Sequence, residues 1–235
     1  MALGNEHTVK AFDDDIDKLR GLISEMGGRA EAAISEAMTA LTRRDLELAA
    51  HVVENDRKID EMETEIEKLA VQTIALRAPM ADDLREVVAA LKIVGIIERI
   101  GDYAKNIAKR VPLVTENSGI QPSSLLPSMA QVASEMVHDV LNAFAARDAD
   151  LADAVCHRDK VVDDFYNSIF RTLVTYMMEN PRHISESAHL LFIAKNIERI
   201  GDHATNIAEM VYFAATGQHL PERERGENPS EPHEG

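Results

Sequence analysis

The twelve residues "IERIGDYAKNIA" at 97–108 return as "IERIGDHATNIA" at 197–208, 100 positions later, changed only at Tyr103/His203 and Lys105/Thr205. A second match, shifted by 103, pairs Asp45, Leu48, Ala49, Val52, Asp56 and Asp60 with Asp148, Leu151, Ala152, Val155, Asp159 and Asp163. The change of shift puts a three-residue length difference between the two matches, and the breaks at Pro79 and Pro181 are its natural place. An internal duplication is the tightest constraint on this chain, because each half must build the same unit.

The unit is helical. Apolar residues recur at helical spacing along 8–44 (Leu19, Leu22, Met26, Ala30, Ala33, Ala37, Leu41) and along 45–77 (Leu48, Val52, Ile59, Met62, Ile66, Leu69), with Asp45 placed to cap the second stretch. Pro79 ends it, and a third helix is expected over 82–111. "PLVTENSGIQPSS" reads as a linker, after which three more helices are expected over 124–147, 150–179 and 184–215, with Gly217 as the final stop. The expectation is an all-α chain: two tandem antiparallel three-helix bundles, residues 8–111 and 124–216, joined by a linker at 112–123 and followed by a disordered acidic tail at 217–235. Scarce aromatics and abundant Ala, Glu, Ile and Leu agree with helices rather than sheets.

A net charge of -16 repels phosphate backbones, which argues against nucleic acid and favours cations or basic partner surfaces. Cys156 is the only cysteine, so no intrachain disulfide can form, and its repeat mate Val53 marks it as a small core residue. Met136, Met177 and Met178 are read as packing residues too. The N-terminal stretch is acidic and lacks the apolar core of a signal peptide. "VVAALKIVGII" is too short to span a bilayer and contains Lys92, so no membrane insertion is expected and the location is read as cytoplasmic.

The acids of the repeat carry the chemistry. Glu98, Asp102 and Asn106 lie four apart beside the stripe of Ile97, Ile100, Ala104, Ile107 and Val111, and Glu198, Asp202 and Asn206 repeat the arrangement. Asp56–Asp60 and Asp159–Asp163 hold matching places on the second and fifth helices. Like charges at this spacing cost a few tenths of a kcal/mol each, and Gly101 and Gly201 about 1 kcal/mol more. Arg99, Arg199 and nearby lysines offset this only in part, since they point elsewhere on their helices. A cation held between the second and third helices of each half is the fuller compensation. Four carboxylates and an amide oxygen suit Mg, Ca, Mn or Fe, and they admit more than one ion per half. The two glycines would let the neighbouring helix come close.

The duplicated E/D-x-x-x-D pattern, with "DLREVVAALKIVGIIERIGDYAKNIAKR" and "NIERIGDHATNIAEMVYFAATG" as third and sixth helices, resembles the PhoU family of phosphate-transport accessory proteins over nearly the whole chain. The resemblance implies two three-helix bundles side by side and often a homodimer. It implies divalent or trivalent metal ions (Mg, Mn, Fe or Zn) in multinuclear sites at Asp56, Asp60, Glu98 and Asp102 and at Asp159, Asp163, Glu198 and Asp202. It implies regulation rather than catalysis. Such proteins link a phosphate ABC transporter, through its ATPase, to a membrane sensor histidine kinase, and hold the phosphate-starvation response off. The first half has "DDLR" at 82–85 as the family often does, whereas the second has "ISES" at 184–187, so the halves are expected to differ in partners.

Two other readings compete. Carboxylate-bridged di-iron bundles use paired Glu-x-x-His motifs, and Glu135/His138 and Glu186/His189 have that spacing, although the matching positions of the other half hold no His. A scaffold without metal is the second. No Gly-rich phosphate loop is present, so phosphate itself has no evident cradle.

Overall fold

A computed structural model describes residues 2–114 and 125–220, with side chains from residue 11 onward. Six long helices run in chain order: α1 (Ala2–Arg43), α2 (Leu46–Arg77), α3 (Asp82–Ala108), α4 (Leu125–Ala146), α5 (Ala149–Glu179) and α6 (Ile184–Thr216). No strand occurs among the described residues. α1, α2 and α3 pack on one another, as do α4, α5 and α6, giving the two three-helix bundles that the duplication requires.

The helix ends follow from the residues at them. Asp45 and Asp148 are repeat mates, and each accepts a hydrogen bond from the backbone N–H three residues on, Leu48 (2.9 Å) and Leu151 (3.0 Å). Arg44 and Arg147, just before the caps, both take left-handed backbone (φ 55° and 54°), so the two halves turn the corner identically. α6 stops at Gly217 with φ 72°.

Four expectations need correction. α3 stops at Ala108 rather than Val111, and Val111–Leu113 form a short 3-10 turn with Pro112 in its first turn. That turn is packed rather than free, since Val111 and Val114 are buried, and the remainder of the expected linker, 115–123, lies outside the described residues. Met178 is 81% exposed, so it does not serve packing as Met136 does. α1 also begins before residue 8. Of the expected tail, 221–235 lie outside the described residues.

The bundles meet along α3 and α6, with α1 against α4 as a second seam. Arg110, after α3, reaches His189 near the start of α6, and Arg85 near the start of α3 lies beside Gly217 at the end of α6. The two helices are therefore antiparallel. Midway, Tyr103 meets its own repeat mate His203, ring centroids 5.1 Å apart and edge to face. Burial pushes the His203 imidazole below its ordinary pKa. The buried apolar residues of all six helices form one continuous core across this seam. Glu86 ties the halves in charge as well: it is 6% exposed and accepts from Arg20 of α1 (Nε, 2.7 Å) and pairs with Arg147 at the α4–α5 corner.

Candidate metal centres

Each acidic row lies where two helices approach closely. A Cβ on Gly101 would come 2.8 Å from Ile59 Cδ1 and 3.5 Å from Asp56 Oδ1, so the glycine is what lets α2 and α3 pack with their acids facing. In the second half the same atom on Gly201 would lie 3.4 Å from Asp159 Oδ1 and from Val162, the shorter repeat mate of Ile59.

In the first half Asp56 is buried, Glu98 and Asp102 are partly buried, Asn106 is partly buried and Asp60 is exposed. In the second, Glu198 is buried, and Asp159, Asp163, Asp202 and Asn206 are partly buried. The rows are thus half sunk into the bundles, which raises the cost of their charge. Glu98 shows this most clearly. Burial, then the neighbouring Asp102 and Glu63, push its carboxyl up to about 7. Burial likewise raises the Glu198 carboxyl, with Asp202 and Asp163 adding to it and Lys195 opposing it.

The expectation that nearby lysines point elsewhere fails at Lys105, the first of two unexpected participants. Lys105 sits three residues after Asp102 and donates to Asp102 Oδ1 (2.5 Å) and to Asp56 Oδ2, so one ammonium ties α3 to α2. Burial works against that charge, but the hydrogen bonds to Asp102 and Asp56 outweigh it and hold the Lys105 pKa above its ordinary value. The compensation assigned to Arg99 is slight by comparison: its Nε lies 3.6 Å from Glu98 and the side chain is exposed. Glu63 is the other. It continues the α2 row beyond Asp60, and burial, then Glu67 and Asp60, raise its pKa. Its repeat mate is Tyr166, so the duplication offered no signal for it.

The second half is charged differently. Thr205 replaces Lys105, and its hydroxyl donates to the Asp202 backbone carbonyl (2.7 Å). Lys195 instead donates to Glu198 Oε1 (2.6 Å) and lies 5.2 Å above the Tyr166 ring, at a position where the first half has Gly95. Glu198 Oε2 is buried without a hydrogen-bond partner.

Among the described residues no three His, Cys, Asp or Glu side chains gather as they would around an ion. The donors still suit one in kind: all are oxygens, they come from two facing helices, and one buried carboxylate oxygen lacks a partner. The di-iron arrangement is not assembled. Glu135 accepts from Gln131 and Arg158, His138 pairs with Glu31 (3.1 Å), and His189 faces Arg110.

The PhoU domain model matches residues 23–111 and 126–211, once per bundle, with the acidic rows inside both matches. The chain belongs to the PhoU family. PhoU proteins are accessory, regulatory proteins of a non-enzymatic family. The phosphate-specific transport system accessory protein PhoU homolog of Zymomonas mobilis is 58% identical over 94% of this chain and 94% of its own. The PhoU homolog of Caulobacter vibrioides is 47% identical over 92% and 94%. Among solved structures, PhoU from Pseudomonas aeruginosa superposes with a TM-score of 0.85 at 38% identity, covering 88% of this chain and 100% of that one. The phosphate transport system regulatory protein PhoU from Streptococcus pneumoniae gives 0.84 at 27%, covering 89% and 99%. No described helix is long and apolar enough to cross a membrane.

Proposed function

We propose that this PhoU protein is a cytoplasmic, metal-binding regulatory adaptor. It links a phosphate ABC transporter, through the transporter ATPase, to a membrane sensor histidine kinase. It restrains uptake and holds the phosphate-starvation response off while phosphate is plentiful. The observation that carries the reading is the 58% identity, over 94% of both chains, to an accessory protein of a phosphate-specific transport system.

The acidic rows supply the metal part of the reading. Asp56, Asp60, Glu98, Asp102 and Asn106 in one half and Asp159, Asp163, Glu198, Asp202 and Asn206 in the other would hold divalent or trivalent ions. When bound, the ion supplies positive charge and a rigid tie between helices, not catalysis. The residues themselves set how close the helices come, how much carboxylate charge is sunk, and what surface a basic partner would meet. The pairing of Tyr103 with His203 is internal to the chain, so a homodimer must use other surfaces.

Deletion of the gene, with alkaline phosphatase read out in high phosphate, tests the regulatory part. Constitutive expression is expected, and normal repression would overturn it. Pull-down of the full chain should recover the transporter ATPase and the kinase, and recovery of neither would sink the adaptor role. A scaffold without metal predicts that Asn or Gln at Asp56, Asp60, Glu98 and Asp102 changes neither metal content nor partner recovery.

A further inference from the structure

We infer that the outer ridge of the α3–α6 seam is a docking surface for an acidic segment of a partner protein. The inference deepens the adaptor reading, on which it rests, by naming the surface and the chemistry that the partner brings.

Arg99 and Arg199 are repeat mates that the acidic rows leave largely unused. The Arg99 side chain is 63% exposed, and its ion pair with Glu98 is long, at 3.6 Å. Arg199 is exposed too, and no ion pair holds it among the described residues. Both charges bear on His203 from the two sides of the seam: burial lowers its pKa first, and Arg199 and Arg99 lower it further. The seam runs antiparallel about the Tyr103–His203 contact, so cations on either helix fall along one line. Lys92, exposed, lies two helical turns or ~10 Å before Arg99 and extends the line one way. Arg110, as far beyond Tyr103, ends it the other way, its guanidinium 4.3 Å above the Phe192 ring and 3.4 Å from His189 Nδ1. Phe192 is 55% exposed, so that end offers an apolar anchor beside its charge.

Charge complementarity names the occupant. In a chain of net charge -16, Lys92, Arg99, Arg110 and Arg199 form a line where an acidic segment meets attraction instead of repulsion. The line is also narrow. Glu98 and Asp102 run along its α2 side, and Glu198 and Asp202 along its α5 side. A membrane surface or a nucleic-acid duplex would spread over both flanks and set its own charge against those acids. A single acidic segment, about 10 Å wide as a helix, stays on the ridge.

Full-length protein is titrated into a fluorescein-labelled peptide of repeating Glu-Glu-Leu-Ala, with binding read as fluorescence anisotropy. Saturable binding that weakens with salt is expected, and the Arg99→Glu/Arg199→Glu double variant should weaken it about tenfold or more. Lys58→Glu/Lys68→Glu, both exposed on α2, changes the net charge equally and should alter binding less than about twofold. Circular dichroism confirms helicity for each, and Arg99→Ala/Arg199→Ala stands in should the reversal fail to fold. Equal losses in the two double variants would mean that net charge alone is read, and would overturn the inference. So would an unaltered chain that ignores the peptide; if it then sediments with phosphatidylglycerol vesicles and Arg99→Glu/Arg199→Glu does not, the ridge is a membrane face. In pull-downs, Arg99→Glu/Arg199→Glu should lose a partner. If it recovers the transporter ATPase and the kinase as fully as the unaltered chain, the docking surface falls and the adaptor role stands. If the unaltered chain recovers neither, the adaptor role itself falls.

Discussion

Glu98 sets an expectation for pH. Its folded pKa, about 7, stands above the 4.5 of an ordinary glutamate, so the folded chain holds its proton more tightly than the unfolded chain. Between those values the folded state binds more protons, and stability falls as pH rises. Glu63 and Glu198 are raised as well and act with the same sign. In metal-free buffer Tm should therefore fall from pH 5 to pH 7.5. Glu98→Gln should flatten part of that slope, and an unchanged slope would show that Glu98 is not its source. The two row glycines give a second test. In a helix Gly→Ala normally gains about 1 kcal/mol. Gly201→Ala should keep that gain, because its nearest neighbours are in ordinary contact. Gly101→Ala meets Ile59 Cδ1 at 2.8 Å in a packed core and should lose it, by roughly 1–3 kcal/mol. Paired thermal melts check the order. The sequence showed every carboxylate of the repeat, because i, i+4 spacing is local. It hid the reach of Lys105, because a lysine three residues from Asp102 declares one partner and only the packed helices reveal Asp56 as the other.

Among the elements, helix identity was legible and helix ends only partly so. Period 3.6 over long stretches is unambiguous, and the proline breaks fall where α2 and α5 stop. The end of α3 was misplaced because Val111 continues the apolar stripe even though the backbone has already tightened into a 3-10 turn. The corners were half visible. Asp45 declares itself a cap in the sequence, whereas the pattern there starts α5 at Asp150 although its mate Asp148 does the capping. Asp45→Ala and Asp148→Ala should each cost about 1 kcal/mol. Being far apart in like settings, they should add in the double variant, which urea unfolding can check. A double variant far from the sum would mean that the corners communicate through the seam, where Arg147 already reaches Glu86.

At the scale of the molecule the halves are not independent bundles on a string. One apolar core runs through both, and the Glu86–Arg147 pair crosses between them. Co-expressed as separate chains, residues 1–114 and 125–235 should therefore purify together, and size-exclusion chromatography would show each alone aggregated or loosely folded. Two halves that elute as stable, separate bundles would refute this. The meeting of Tyr103 with His203 carries a further meaning. When a position touches its own copy, the contact lies on a two-fold axis, which is the geometry by which identical subunits recognise one another. Two identical half-length chains meeting there would have to place the same residue on both sides, whereas a single chain holding both halves can set Tyr opposite His.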